Sequence, residues 1–223
     1  MKKFTGLLMI AVLICAFTAC GQPRQAEAPF TTQPGTSEAP TESPAETEKS
    51  TEPPETTEAI PESGKTLVVY YSWSSSGNTE TMARYIQQQT DGDLLELIPQ
   101  TPYPTDYSAT GDIAKEERDT NARPGIANLP ESIGEYDTIF LGYPIWWHTA
   151  PMIIGTFLDS FDLTGVEIYP FSQSASMDTE QFANSMEFVR ENAVGANVHD
   201  GLFVSAADTN GIQEYLKANG FAK

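Results

Sequence analysis

The sequence is poor in cysteine, histidine and positive charge. Its two cysteines, Cys15 and Cys20, both fall in the first twenty residues. The rest of the chain therefore has no internal disulfide and no thiolate cage for a metal, so any redox chemistry in it must come from a bound group. Twelve Lys and Arg stand against 31 Asp and Glu, a formal net charge of −19. A field of that sign repels phosphate backbones and favours basic partners, which sets nucleic-acid binding aside. No Lys or Arg lies between Thr66 and Ala83. A serine-rich loop in that stretch thus lacks the lysine that a nucleoside-triphosphate loop needs, and its spacing is not GxGxxG.

What is present is distributed unevenly over three segments. Residues 1–20 read as a secretory signal: Met1-Lys2-Lys3, then the apolar stretch Gly6 to Phe17, too short to span a bilayer comfortably. Ala16-Phe17-Thr18-Ala19-Cys20-Gly21 resembles a bacterial lipobox, with Phe17 where Leu is more usual. The expectation is lipidation at Cys20 and an extracytoplasmic chain anchored to the cytoplasmic membrane, with a plain signal peptide or an uncleaved anchor as alternatives. Residues 21–64 form a linker. From Gln22 to Gly64 there are eight Thr, eight Pro and nine Glu, a composition that cannot bury apolar surface. In the polyproline-like limit of about 3.1 Å per residue it reaches on the order of 100 Å. Residues 65–223 have the mixture of a globular domain, with 22 acidic and 8 basic residues and so a net charge of −14.

Within that domain, apolar runs alternate with helical patterns. Strands are expected at Lys65–Tyr71, Asp93–Ile98, Asp137–Gly142, Glu167–Phe171 and Val198–Val204. Helices are expected at Thr79–Gln89, Asp106–Asp119, Ala150–Phe161, Asp178–Asn192 and Asp208–Ala218. Five strands alternating with five helices predict an α/β fold with a parallel, doubly wound sheet. Ligands in such sheets sit beyond the carboxyl ends of the strands, where the strand order reverses. The loops after strands one, three and four are therefore the ones that carry function.

The first loop, Ser72-Trp73-Ser74-Ser75-Ser76-Gly77-Asn78-Thr79, runs straight into a helix. Backbone N–H groups at a helix start, with Ser and Thr hydroxyls beside them, bind an anion without a basic side chain. Taken alone it also reads as a serine-rich helix cap. The loop after strand three, Gly142-Tyr143-Pro144-Ile145-Trp146-Trp147-His148-Thr149, puts two tryptophans at a strand end. Large aromatics there suit a planar ligand, stacking being worth about 0.5–1.5 kcal/mol beyond burial, although either one singly can be packing. His148 is a possible proton donor or a hydrogen-bonding loop residue, and His199 reads as structural.

Val68-Val69-Tyr70-Tyr71-Ser72, the Ser-x-Ser-Gly-Asn-Thr loop and Gly142-Tyr143-Pro144-Ile145-Trp146-Trp147 together resemble the short-chain flavodoxin-like proteins of bacteria, over essentially all of residues 65–223. The resemblance implies a flavodoxin-like five-stranded sheet of order 2-1-3-4-5 with FMN at its carboxyl edge. By position, Ser74, Ser76, Gly77, Asn78 and Thr79, with Ser75 between them, would hold the phosphate. Pro144, Ile145, Trp146, Trp147, His148 and Thr149 would line the ring. Ser172, Gln173 and Ser174 would flank its pyrimidine side. Two departures stand out: Ser72-Trp73 intervene before Ser74, and the loop Phe171–Met177 lacks the glycine pair frequent in the family. The implied function is electron transfer to or from a basic redox protein. The alternatives are an FMN-dependent NAD(P)H or quinone oxidoreductase and a binding module without redox activity. Oligomeric state is not legible.

Overall fold

The computed structural model describes residues 64–174, 176 and 178–221. The expected signal segment with Cys20, and all of the expected linker but Gly64, lie outside the described residues. The elements are β1 (Lys65–Tyr70), α1 (Asn78–Thr90), β2 (Asp93–Glu96), α2 (Tyr107–Asp119), β3 (Tyr136–Gly142), α3 (Met152–Asp159), β4 (Glu167–Ser172), α4 (Thr179–Asn192), β5 (Asn197–Val198), β6 (Leu202–Phe203) and α5 (Thr209–Ala218). The sheet runs β2-β1-β3-β4-β5, with β6 also paired to β4. Every pairing between these strands is parallel. This is the doubly wound order expected of the sequence.

Strand alternation divides the core into two layers, because successive side chains point to opposite faces. Leu67, Val69 and Tyr71 share one face with Ile139, Leu141 and Tyr143, and are covered by Ile153 and Phe157 of α3 and Val189 of α4. Val68, Tyr70, Phe140, Tyr169 and Phe171 share the other, under Met82, Ala83 and Ile86 of α1 and Ile212 and Leu216 of α5. Full burial of each such side chain contributes about 1.5–3 kcal/mol. The central strands, buried on both faces, are therefore the rigid base from which the loops rise.

Most boundaries shift by one or two residues, and two larger differences have physical reasons. The second strand stops at Glu96: Leu97 still donates to Tyr70 O at 2.7 Å, but Ile98 turns away, its N–H accepted by Asn128 Oδ1 at 3.0 Å. The expected strand Val198–Val204 is two short pieces, β5 and β6. Phe171 O accepts from Tyr143 on the β3 side, and Ile168 O accepts from His199 on the other side. Alternation along β4 then turns Pro170 toward the last strand. Proline has no N–H for that ladder, and pairing lapses between His199 and Gly201.

Candidate functional site

Three loops emerge side by side, since β1, β3 and β4 are neighbours in the sheet. Their starts are tied together. Tyr71 N–H donates to Gly142 O at 3.0 Å, Tyr143 N–H to Phe171 O at 3.2 Å, and the Ser172 hydroxyl to Tyr143 O at 2.6 Å. Gly142 is required sterically, because a Cβ there would lie 2.2 Å from Phe171 Cζ.

The first loop closes with a turn in which Gly77 N–H donates to Ser74 O at 2.9 Å. Gly77 then takes a left-handed conformation, φ +59°, and α1 begins. Its own carbonyl accepts from the N–H and the hydroxyl of Thr81, at 2.8 and 2.9 Å. Asp106, Asp178 and Asp208 cap α2, α4 and α5 with their side chains, whereas Gly77 has no side chain with which to cap α1. The first-turn N–H groups of a helix have no acceptor within it, so a start without a side-chain cap leaves donors that an anion can take. Ser74, Ser75 and Ser76 are exposed around it, and the Ser74 and Ser76 hydroxyls lie 2.8 Å apart. Asn78 is half-buried and Thr79 buried. Glu80, in the same first turn, is paired with Arg84 at 2.8 Å, which offsets its negative charge.

After β3 the chain forms a tight hairpin. Trp146 N–H donates to Thr149 O at 2.9 Å and Thr149 N–H to Trp146 O at 3.0 Å. The two central residues, Trp147 and His148, have φ of +47° and +65°. That is the primed turn geometry which normally recruits glycine or asparagine. The two tryptophans have separate fates. Trp146 sits in an aromatic cluster, with ring centroids 5.5 Å from Tyr71, 5.1 Å from Tyr103 and 6.1 Å from Trp73, all edge-on. Trp147 is 40% exposed and reaches α2: its indole N–H donates to Gly111 O at 2.7 Å. Arg118 donates to Trp147 O at 3.3 Å and lies over the Trp147 ring, 5.5 Å from its centroid.

Between this hairpin and α2 lies a pocket of about 410 Å³, walled by Trp73, Tyr107, Trp146 and Trp147. Behind Trp146, the Tyr103 hydroxyl donates to Glu117 Oε2 at 2.7 Å. Burial pushes the Glu117 carboxyl above its ordinary range, and the Tyr103 hydrogen bond works against that rise. Burial first, then the contact with Glu117, raises the Tyr103 phenol far above its usual value.

A flavodoxin family model matches residues 65–219. The chain belongs to the flavodoxin family. Solved structures agree with that membership. A flavoprotein from Bacteroides uniformis ATCC 8492 is 31% identical with a TM-score of 0.61, the match covering 69% of this chain and 98% of that one. A flavoprotein from Bacteroides eggerthii DSM 20697 is also 31% identical, TM-score 0.62, over 70% and 97%. A flavoprotein from Lactobacillus acidophilus NCFM, solved in complex with FMN, is 29% identical, TM-score 0.54, over 66% and 97%. No curated protein matches the sequence.

As a flavodoxin, the chain brings the sequence-derived residues together as loop groups at one sheet edge, with differing exposure. Pro144 and Thr149 are half-buried, Ile145 is buried against Phe182 and Met186, and His148 is exposed. Ser172 ends β4 and is fully buried, so its hydroxyl serves the tie to Tyr143 O. Gln173 is half-buried, and Ser174 Oγ accepts from Ser176 N–H at 3.2 Å. His199 lies elsewhere, at the break between β5 and β6, stacked 4.1 Å from Tyr169 and bonded to Glu167. Sequence reasoning missed the contribution of α2 and of Trp73, whose indole N–H donates to Pro104 O at 2.9 Å. One signal was available: Tyr103, a large aromatic in the proline-rich breaker segment before α2, is half-buried beside Trp146.

Proposed function

We propose that this flavodoxin binds FMN and carries electrons between redox partners at the outer face of the cytoplasmic membrane, held there by lipid on Cys20. The observation that carries the cofactor reading is the start of α1, where a left-handed Gly77, no capping side chain and a ring of serines offer hydrogen-bond donors to a phosphate. The family membership and the FMN bound to the Lactobacillus acidophilus flavoprotein support it. Ser74 to Thr79 take the phosphate, and the segments Pro144–Thr149 and Gln173–Ser174 border the ring, the buried Ser172 serving only to tie the loops together. FMN supplies the one- and two-electron chemistry; the protein orients the ring and sets its electrostatics.

A domain with net charge −14 disfavours adding electrons nearby, which keeps the potential low and suits a donor that docks on a basic partner. A second reading, an FMN-dependent NAD(P)H or quinone oxidoreductase, is favoured by one observation, the aromatic pocket beside Trp147.

Titration of the purified protein with FMN decides the cofactor, and an absence of fluorescence quenching would eliminate both readings. With FMN bound, rapid mixing with NADH and NADPH separates carrier from enzyme. Flavin bleaching at catalytic rates rejects the carrier. Cys20→Ala should release the protein from membranes, and continued lipid labelling of that variant would refute the anchor.

A further inference from the structure

We propose that Tyr71, Trp73, Tyr103, Tyr107 and Trp146 form a relay for single electrons, in which Tyr103 is the terminal donor and Glu117 accepts its phenol proton. The rings make one connected path. Tyr107, 79% exposed, lies 6.4 Å from Trp73 between ring centroids, and Trp73 lies 6.1 Å from Trp146. Trp146 is 5.1 Å from Tyr103 and 5.5 Å from Tyr71, and those two tyrosines are 6.0 Å apart. Tryptophan and tyrosine are the aromatic side chains that lose one electron most readily, and rings in contact pass it on in short steps. No cysteine thiol lies in residues 65–223 to compete as the donor.

The partner of Tyr103 makes it the end point. A tyrosine that loses an electron must also release its phenol proton, because the oxidised phenol is a strong acid. The Tyr103 hydroxyl donates to Glu117 Oε2 at 2.7 Å, so an acceptor stands one hydrogen bond away. Burial holds the Glu117 carboxyl above its ordinary range, which makes it a stronger base than an exposed carboxylate. Two other tyrosines donate to carboxylates, Tyr136 to Asp93 at 2.8 Å and Tyr70 to Glu96 at 3.3 Å, but neither touches a ring of the path. Among the described residues, Tyr103 alone combines a place in the path with a hydrogen-bonded carboxylate.

A one-electron oxidant at the surface takes one electron from the exposed end of the path, and the vacancy passes from ring to ring until Tyr103 fills it. The Tyr103 O–H bond breaks and an O–H bond forms on Glu117. The products are a neutral tyrosyl radical, a neutral carboxylic acid and the oxidant reduced by one electron. The positive charge left behind is neutralised on the Glu117 carboxylate, so none is stranded among half-buried groups, where it would be costly. Oxidising equivalents are thereby drawn away from the loops at the carboxyl edge. The path runs on side chains of this chain alone and does not rest on FMN being bound.

Flash oxidation of the FMN-free full chain by a photogenerated ruthenium(III) polypyridyl complex, read by transient absorption and freeze-quenched electron paramagnetic resonance, tests this. The wild type should yield a tyrosyl radical. Tyr103→Phe should lose most of that signal and leave a longer-lived tryptophan radical in its place. Tyr136→Phe, which removes a carboxylate-bonded phenol outside the path, should keep the signal. Glu117→Gln retains a hydrogen-bonding side chain but supplies no base, and should slow formation of the radical by at least about tenfold. Absence of a tyrosyl radical in the wild type would overturn the proposal. So would an undiminished signal in Tyr103→Phe or an unchanged rate in Glu117→Gln. Melting curves establish that each variant is folded, and if Tyr103→Phe is not, Glu117→Gln decides alone. Failure of FMN to bind sinks the cofactor reading and leaves this result untouched, because no FMN is present.

Discussion

Replacing Gly77 tests the phosphate cradle through backbone conformation alone. Gly77 has φ +59°, and the nearest atom to a Cβ built on it is Glu80 Oε2 at 3.6 Å, an ordinary contact. Steric collision with the protein therefore contributes little, and the penalty is that of the left-handed region itself. For an ordinary residue that is roughly 1–2 kcal/mol, and for a β-branched one more. Asparagine tolerates the region because its short polar side chain bonds locally. Gly77→Val should consequently push the turn toward another conformation and swing the first N–H groups of α1 away from the phosphate. Losing one hydrogen bond to a charged group costs about 1.5–3 kcal/mol, or about 10- to 150-fold in Kd. Gly77→Asn should stay near wild type. Quenching of flavin fluorescence gives the affinities, and urea unfolding of the FMN-free protein gives the stability change. Unchanged binding in the valine variant would refute the cradle. Equal loss in the asparagine and valine variants would refute the conformational account, since the side chain rather than φ would then be at fault.

Other outcomes follow from buried or paired groups. Ser172→Ala removes a buried hydroxyl that donates to Tyr143 O and should destabilise the fold by about 1–3 kcal/mol in urea titrations. Trp147→Phe keeps a ring but loses the 2.7 Å bond to Gly111 O, so amide exchange across the Trp146–Thr149 hairpin should quicken, with a stability loss of about 0.5–1.5 kcal/mol. Glu117 has a raised folded pKa, so its contribution to stability is fully present below the ordinary Glu pKa and is lost as pH rises through the raised value. Glu117→Gln should therefore melt higher than wild type at pH 7, with the difference vanishing toward pH 4; an equal difference at both pH values would contradict the burial effect.

The parts of the fold legible in sequence were those set by local pattern. Val68-Val69-Tyr70 reads as a strand buried on both faces and is one. Asp178 reads as a helix start because aspartate caps, and the structure adds Gln181 bonding back to the Asp178 N–H. Illegible parts depended on partners distant in the chain. Pro170 looks harmless in its own strand, and its missing N–H matters only once the neighbour across from it is known. Likewise the Trp146-Trp147 pair reads as a single aromatic feature, yet Tyr71 and Tyr103 take one tryptophan into the interior and Gly111 and Arg118 hold the other at the surface.

That division shows which element governs the hairpin. Trp147 and His148 both occupy left-handed φ without glycine, and a bulky residue held there costs of order 1–3 kcal/mol. The two hairpin hydrogen bonds between Trp146 and Thr149 exist in any such turn and do not choose this one. What is specific is the grip of α2: the Trp147 indole on Gly111 O, and Arg118 on both the Trp147 carbonyl and its ring. Each such contact contributes on the order of 0.5–1.5 kcal/mol, so together they are of the size needed to hold the turn. The Trp146–Thr149 hairpin is therefore set as much by α2, on the far side of the pocket, as by β3, from which it springs.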